Sequence, residues 1–194
     1  MQFPQTIWQD DKLIQTLTNG GVAVMPTDTI YGIVGCALRQ ETVERIYKIK
    51  NRNEDSPFII LVGSMEELEK LALELALELT NDEKNVISKF EKPTSFILPV
   101  REKKEKYKYL YQGQDSLTFR IPIENGLCEL LRQAGPLVAP SANPKGLTPA
   151  KNIKEAQKYF GDEVDLYIDD GEMVSEPSRI VRLYPDGKVS IIRE

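Results

Sequence analysis

The sequence predicts an α/β protein, and three features carry that prediction. Short apolar runs at 22–24, 58–62 and 137–139 have the length and continuity of buried strands. Amphipathic stretches of helical spacing stand between them, among them residues 41–50 and the leucine-rich segment after Ser64. Hydrophobic residues make up 41% and charged residues 28% of the 194, the balance of a globular chain able to bury a substantial core. No repeat, low-complexity stretch or linker interrupts it, so one domain over 1–194 is expected.

Residues 7–19 set Ile7, Leu13, Ile14 and Leu17 at helical spacing and stop at Asn19-Gly20-Gly21. Residues 22–25 read as the first strand, ended by Pro26, whose ring fixes φ and removes an N–H. Thr27, Asp28, Thr29 and Tyr31 follow, with Gly32 and Gly35 beyond them. Hydroxyls and N–H groups at a strand end suit a small polar ligand, and the same string also suits a structural turn. The helix at 41–50 turns Val43, Ile46, Tyr47 and Ile49 inward and delivers Lys50, Asn51 and Arg52 into a polar loop closed by Pro57. A strand at 58–62 comes next. Ser64 and Glu67 form a capping-box pattern opening a helix with Leu68, Leu71, Ala72, Leu75 and Leu79 on one face. A second helix lies near 82–90, before Pro93.

Residues 94–100 read as a strand, and 101–111 as a charged, solvated segment. There Lys103, Lys104, Lys106 and Lys108 interleave with Tyr107, Tyr109 and Tyr111, a pattern that also suits RNA, with lysines on phosphates and rings on bases. The strand at 117–122 carries Arg120 among apolar neighbours, so Arg120 either meets an internal carboxylate or awaits an anionic ligand. A helix at 125–133 stops at Gly135-Pro136, and a buried strand at 137–139 runs into Pro140-Ser141-Ala142-Asn143-Pro144, a second polar loop after a strand. A helix at 153–160 and strands at 166–168, 179–184 and 189–193 complete the chain, the last two joined by a turn at Pro185-Asp186-Gly187.

Composition narrows the chemistry. With no histidine, Ser-His-Asp and Cys-His sites, histidine-based zinc sites and imidazole proton relays are excluded. Lys, Arg, carboxylates, hydroxyls and backbone dipoles remain, favouring charge stabilisation and positioning of the kind phosphoryl and nucleotidyl transfer use. Cys36 and Cys128 have no metal-ligand spacing and read as reduced, buried thiols. A net charge of −5 argues against a wholly basic nucleic-acid surface. No apolar run approaches the roughly 20 residues of a membrane helix, and no signal peptide is visible, so a cytoplasmic protein without membrane association is expected. Gly-x-x-x-x-Gly-Lys-Ser/Thr and Gly-x-Gly-x-x-Gly are both missing.

The polar loops gain meaning as an ordered set. Pro26-Thr27-Asp28-Thr29-Ile30-Tyr31-Gly32, Lys50-x-Arg52, Arg120-Ile-Pro, Ser141-x-Asn143 and Pro177-Ser178 together resemble the YrdC-like family of threonylcarbamoyl-AMP synthases, from about residue 10 onward. The family's longer branch carries a further C-terminal domain, for which this chain is too short. The resemblance implies a twisted mixed sheet flanked by helices and open to a large, electropositive cavity. It also implies a reaction in which L-threonine, bicarbonate and ATP give threonylcarbamoyl-AMP and pyrophosphate, with Mg²⁺ bridging the phosphates. A threonylcarbamoyl-transferase complex acting on tRNA would receive the product. Residue by residue, it implies Lys50 and Arg52 as catalytic and triphosphate-binding groups, Ser56, Ser141, Asn143 and Arg193 as further ATP ligands, and Thr27, Thr29, Arg120 and Ser178 around threonine, with no protein-held metal. Departures are Asn53 where members often have proline, and Arg179 and Arg182 where they usually have Thr and Asp. An alternative expectation is a non-enzymatic paralogue that binds double-stranded RNA or serves ribosome maturation.

Overall fold

The computed structural model describes residues 5–52, 57–77, 79–184 and 186–194; the expectations placed on Asn53, Ser56 and Pro185 lie outside them. Helix α1 (Asp11–Thr18) is preceded by a 3₁₀ turn at Gln5–Gln9, not by the continuous helix expected from residue 7. The break falls at Asp10, whose carboxylate accepts from Leu13 N at 2.9 Å and caps the helix.

Strand β1 (Ala23–Pro26) ends at its proline as expected, but the chain turns back at once into β2 (Tyr31–Cys36), a strand the sequence reading treated as loop. Thr27 closes this turn by donating to Ile30 O at 2.8 Å. Gly32 and Gly35 therefore lie inside a strand. At Gly35 the reason is close approach, because a Cβ there would run into Thr42 Cγ2 of α2 (Gln40–Ile49).

Strand β3 (Ile59–Leu61) is followed by α3 (Met65–Glu74), which Ser64 caps through Glu67 N. That helix stops before Leu79, since Ala76 turns left-handed (φ 54°) and Leu77 bridges to Val100. Then come α4 (Asn81–Ile87), β4 (Thr94–Pro99), the short α5 (Lys108–Tyr111), β5 (Ser116–Arg120), α6 (Asn125–Ala134), β6 (Leu137–Val138), α7 (Ile153–Phe160), β7 (Leu166–Tyr167), β8 (Arg179–Leu183) and β9 (Val189–Arg193).

The strands form one nine-stranded sheet in the order β7-β1-β2-β6-β3-β5-β4-β8-β9. Pairing is parallel at β1/β7, β3/β5 and β4/β8 and antiparallel elsewhere, so the sheet is mixed. Alternate strand residues feed different apolar clusters, as the pleat requires. Ile33 and Ile60 pack with Val43 and Ile46 of α2, Leu68 of α3 and Phe160 of α7, whereas Val34 and Leu61 pack with Leu13 and Leu17 of α1 and Leu127, Leu130 and Leu131 of α6. The expected mixed sheet between helices is present.

The segment at 101–111 departs from its expectation. Tyr107, Tyr109 and Tyr111 are buried in the core, and their hydroxyls are engaged by Glu74, Ala37 O and Leu75 O respectively. Lys103 pairs with Asp115, Lys106 with Glu74 and Lys108 with Glu105, while Lys104 donates to Glu74 O. A ring inside a core cannot stack on a base, so this segment is a folded lid over apolar surface. Among the described residues no helix is long and apolar enough to cross a membrane.

Candidate functional site

A cavity of about 390 Å³ opens on the sheet, and its floor follows from register. Ile59 of β3 is paired with Thr118 of β5, and Thr118 with Ile97 of β4. Paired residues share a face, so these three side chains form one row, and all three line the cavity. The walls come from separate stretches of chain: Thr27 and Thr29, Arg52 and Phe58, Arg120, Pro140 and Ser141, Pro177 and Ser178, and Ile192 with Arg193. Three arginines and no carboxylate stand among the described lining residues. Among the described residues no group of carboxylates, cysteines and histidines could hold a metal ion.

The turn between β1 and β2 presents Thr27 and Thr29, whose hydroxyls lie 3.1 Å apart, with Thr29 N donating to Thr27 Oγ1. Between them Asp28 points the other way, its side chain fully buried against Arg120 (Oδ1–Nη2 3.0 Å). Arg120 thus meets the internal carboxylate anticipated as one option, and it also lines the cavity. Burial drives its pKa down, Asp28 opposes this, and the nearby Arg193 adds to it.

Lys50 and Arg52 part company at the end of α2. Asn51 adopts a left-handed conformation (φ 48°), which asparagine tolerates better than most residues, and this reverses the chain. Arg52 reaches the cavity with its guanidinium 5.3 Å above the Phe58 ring, and Phe58 stacks in turn on Tyr47. Lys50 instead turns under the cavity wall and is only 2% exposed. Its Nζ donates to Ser141 O and Asn143 O, each at 2.5 Å, and approaches Asn143 Oδ1 at 3.5 Å. Burial, with Arg52 as a lesser cause, pushes its pKa down to about 7.

The loop that Lys50 holds is also stitched to β2: Gly32 bridges Ser141, and Ala142 N donates to Tyr31 O at 2.9 Å. Ser141 Oγ donates to Asn143 Oδ1 at 2.5 Å, and Asn143 Nδ2 donates to Leu147 O at 2.5 Å. Ser141 lines the cavity, whereas Asn143 lies behind it and braces the loop.

The last wall is β8 with β9. A register shift between Ile180 and Val181 inserts one extra residue in β9, opposing Ile180 to Arg193 and Val181 to Ile191. The bulge turns the adjacent Ile192 and Arg193 both toward the cavity, which a regular strand would not do. Arg193 donates through Nε and Nη2 to Ser178 O (3.2 and 2.6 Å). Ser178 is buried, its hydroxyl 2.9 Å from that of Ser95, a buried partner the sequence reading did not single out. Neither Arg179, paired with Glu194, nor the exposed Arg182 lines the cavity.

Of the expected site residues, Thr27, Thr29, Arg52, Arg120, Ser141, Ser178 and Arg193 share this cavity. Lys50 and Asn143 lie just behind its wall. Asp28 and Ser95 were not anticipated as site residues. An aspartate between two threonines looks like turn chemistry, and its pairing with Arg120 spans a sequence separation that no local pattern encodes.

Comparison with known proteins gives this arrangement its context. A family model described as Sua5/YciO/YrdC, telomere recombination, matches residues 15–194. A putative threonylcarbamoyl-AMP synthase of Methanocaldococcus jannaschii is 34% identical over 185 residues, covering 94% of this chain and 83% of the relative. One from Mycobacterium tuberculosis is 32% identical over 152 residues, covering 78% and 68%. The solved structure of Pyrococcus abyssi Sua5 complexed with L-threonine superposes with a TM-score of 0.79 at 28% identity over 91% of this chain, which spans about half (51%) of that protein. Escherichia coli YciO matches in fold, with a TM-score of 0.78 at 21% identity, covering 98% of this chain and 90% of that one. Most of the residues that pointed to a YrdC-like resemblance thus line one cavity or brace its wall within a matching fold, and the chain belongs to the Sua5/YciO/YrdC family.

Proposed function

We propose that this chain is an L-threonylcarbamoyladenylate synthase, a nucleotidyltransferase that joins L-threonine, bicarbonate and ATP into threonylcarbamoyl-AMP and pyrophosphate. The observation that carries the reading is the described lining: three arginines, Thr27, Thr29 and Ser141 with their hydroxyls, and no carboxylate among the described residues, drawn from distant parts of the chain. All the reactants bring negative charge, so donors matter more than a base. The names of the relatives and the threonine-bound Sua5 structure point the same way.

In this reading the threonine amine attacks the carbon of bicarbonate, a C–O bond breaks and water leaves, and an oxygen of the resulting carbamate attacks the α-phosphorus and displaces pyrophosphate. Arg52, propped on Phe58, offers a planar fork to the phosphates. Arg193 and Ser141, which line the same cavity, face the nucleotide as well. Thr27, Thr29, Ser178 and Arg120 surround the amino acid, with Arg120 against its carboxylate. Lys50 and Asn143 act by holding the Ser141 loop behind the cavity wall. The nucleotide would enter as Mg–ATP, its cation held by phosphates and water, which suits the absence of acids among the described lining residues. Positioning and fixed charge supply the rate enhancement without a proton shuttle. We further propose that the chain acts as one unit in the cytoplasm and passes its product to a tRNA threonylcarbamoyl-transferase complex.

The test is pyrophosphate release with ATP, threonine and bicarbonate, omitting each in turn. Release that requires all three is expected, and release indifferent to threonine sinks the proposal. The RNA-binding alternative loses its main support, because the tyrosines at 107, 109 and 111 are buried.

A further inference from the structure

We propose that Asp28 is a positioning residue for substrate recognition, fixing the Arg120 guanidinium so that it can receive the carboxylate of the amino acid. The inference deepens the reading above and rests on it for the identity of the ligand.

The geometry is that of a guanidinium held from one side. Arg120 lies at the end of β5 with its side chain only 5% exposed, and Asp28, 0% exposed, contacts its Nη2 at 3.0 Å. The other Asp28 oxygen accepts weakly from Ile123 N at 3.4 Å, so this carboxylate ties the β1–β2 turn to the chain just past β5. Asp28 Oδ1 and Arg120 Nε are both buried without a hydrogen-bond partner, so the pair is held by charge at 3.0 Å and not by an aligned hydrogen bond. Arg120 also lines the cavity, so a ligand carboxylate there meets a guanidinium whose donors are not all spent on the protein. The neighbouring Arg193 repels Arg120, so without Asp28 nothing among the described residues offsets the crowding of the two cations.

The arrangement also explains why an aspartate sits between Thr27 and Thr29. Those two threonines line the cavity, while Asp28 between them faces inward. One turn therefore places the threonine wall and, through Asp28, sets the arginine beside it. A shift of the turn moves both together, a coupling suited to a ligand gripped by its hydroxyl and carboxylate at once.

The experiment compares the whole chain with Asp28→Asn and Asp28→Glu. Calorimetry measures binding of threonine and of threoninol, in which a hydroxymethyl group replaces the carboxylate. Nitrogen-edited spectra follow the Arg120 Nε–H resonance, assigned by its loss in Arg120→Lys. Wild type should prefer threonine over threoninol, and threonine should move the resonance. In Asp28→Asn the resonance should shift before any ligand is added. Threonine affinity should fall about 10- to 100-fold, as for loss of a charged hydrogen bond. Threoninol affinity should change little, so the preference collapses. Should Asp28→Asn fail to fold, Asp28→Glu keeps the charge, displaces the guanidinium, and should show the same collapse in smaller degree. An unmoved resonance, or equal weakening of both ligands, overturns the proposal. If wild type binds no threonine while the resonance still moves in Asp28→Asn, the substrate reading fails and the positioning of Arg120 by Asp28 stands.

Discussion

Replacing Lys50 by methionine removes an ammonium and keeps a chain of similar length, and it should change how stability depends on pH. Buried under the Ser141–Asn143 loop, Lys50 has its pKa lowered from the usual 10.5 to about 7, chiefly by desolvation. Its pKa in the unfolded chain is the ordinary one. Below pH 7 the group is charged in both states, and the fold carries the full cost of burying it. Between the two values the unfolded chain holds more protons than the folded one, so stability climbs as pH rises; above 10.5 the cost is gone. A shift of that size corresponds to about 5 kcal/mol. Between pH 6.5 and 9.5 these two pKa values give a climb of about 3 kcal/mol, the rest of the shift falling outside that range. Urea unfolding of wild type and Lys50→Met at pH 6.5, 8 and 9.5 reads this directly. At a slope of about 2 kcal/mol/M, the wild-type midpoint should gain about 1–2 M relative to the variant across that range. Other titrating groups cancel in the comparison. A wild-type-minus-variant difference that stays flat with pH would show that Lys50 keeps an ordinary pKa and refute the buried clamp.

Arg52→Ala should lower pyrophosphate release by at least about 100-fold, as loss of a transition-state donor does, and leave the unfolding midpoint within about 0.5 kcal/mol of wild type. Gly35→Ala should cost about 1–3 kcal/mol in denaturant unfolding, since its methyl group meets Thr42 of α2; no change would mean that the helix yields freely. Leu131→Ala, in the cluster beneath α6, should cost about 2–5 kcal/mol while leaving the affinity for ATP intact. Replacing Lys103, Lys104, Lys106 and Lys108 together by glutamine should leave affinity for double-stranded RNA unchanged in a salt titration; a large loss would restore the RNA-binding reading.

Much of the architecture was legible because local signals agreed with burial. The 3.6-residue pattern located α2, α6 and α7, Ser64 with Glu67 marked the start of α3, and Pro26 marked the end of β1. Where a non-local contact decided the outcome, local reading failed. Gly32 and Gly35 look like loop punctuation, yet Gly35 is there because α2 crosses β2 too closely for a side chain. The tyrosines of 107–111 alternate with lysines as an exposed strip might, yet they are the underside of a turn pressed on the core, their hydroxyls satisfied by distant partners. The site divides the same way. Residue types and order pointed to the cavity, but not to Lys50 spending its ammonium on backbone carbonyls, nor to Asp28 behind Arg120. Those assignments depend on which way a side chain leaves the backbone after the chain has reversed, and the left-handed Asn51 sets that for the pair around it.

The extra residue in β9 bears on timing as well as shape. Ile192 and Arg193 close one side of the hollow, but they belong to a border strand whose Val189, Ile191 and Ile192 remain largely in water. A border held by one neighbour is the first part of a sheet to fray. On a ribosome that same hairpin is the last of the cavity's described walls to be synthesised. A nascent chain would therefore hold most of its framework before it could retain a nucleotide, and occupancy would then fasten the loosest margin of the sheet. Amide exchange along residues 189–193 should slow markedly once Mg–ATP is added, while the central strands stay as they were.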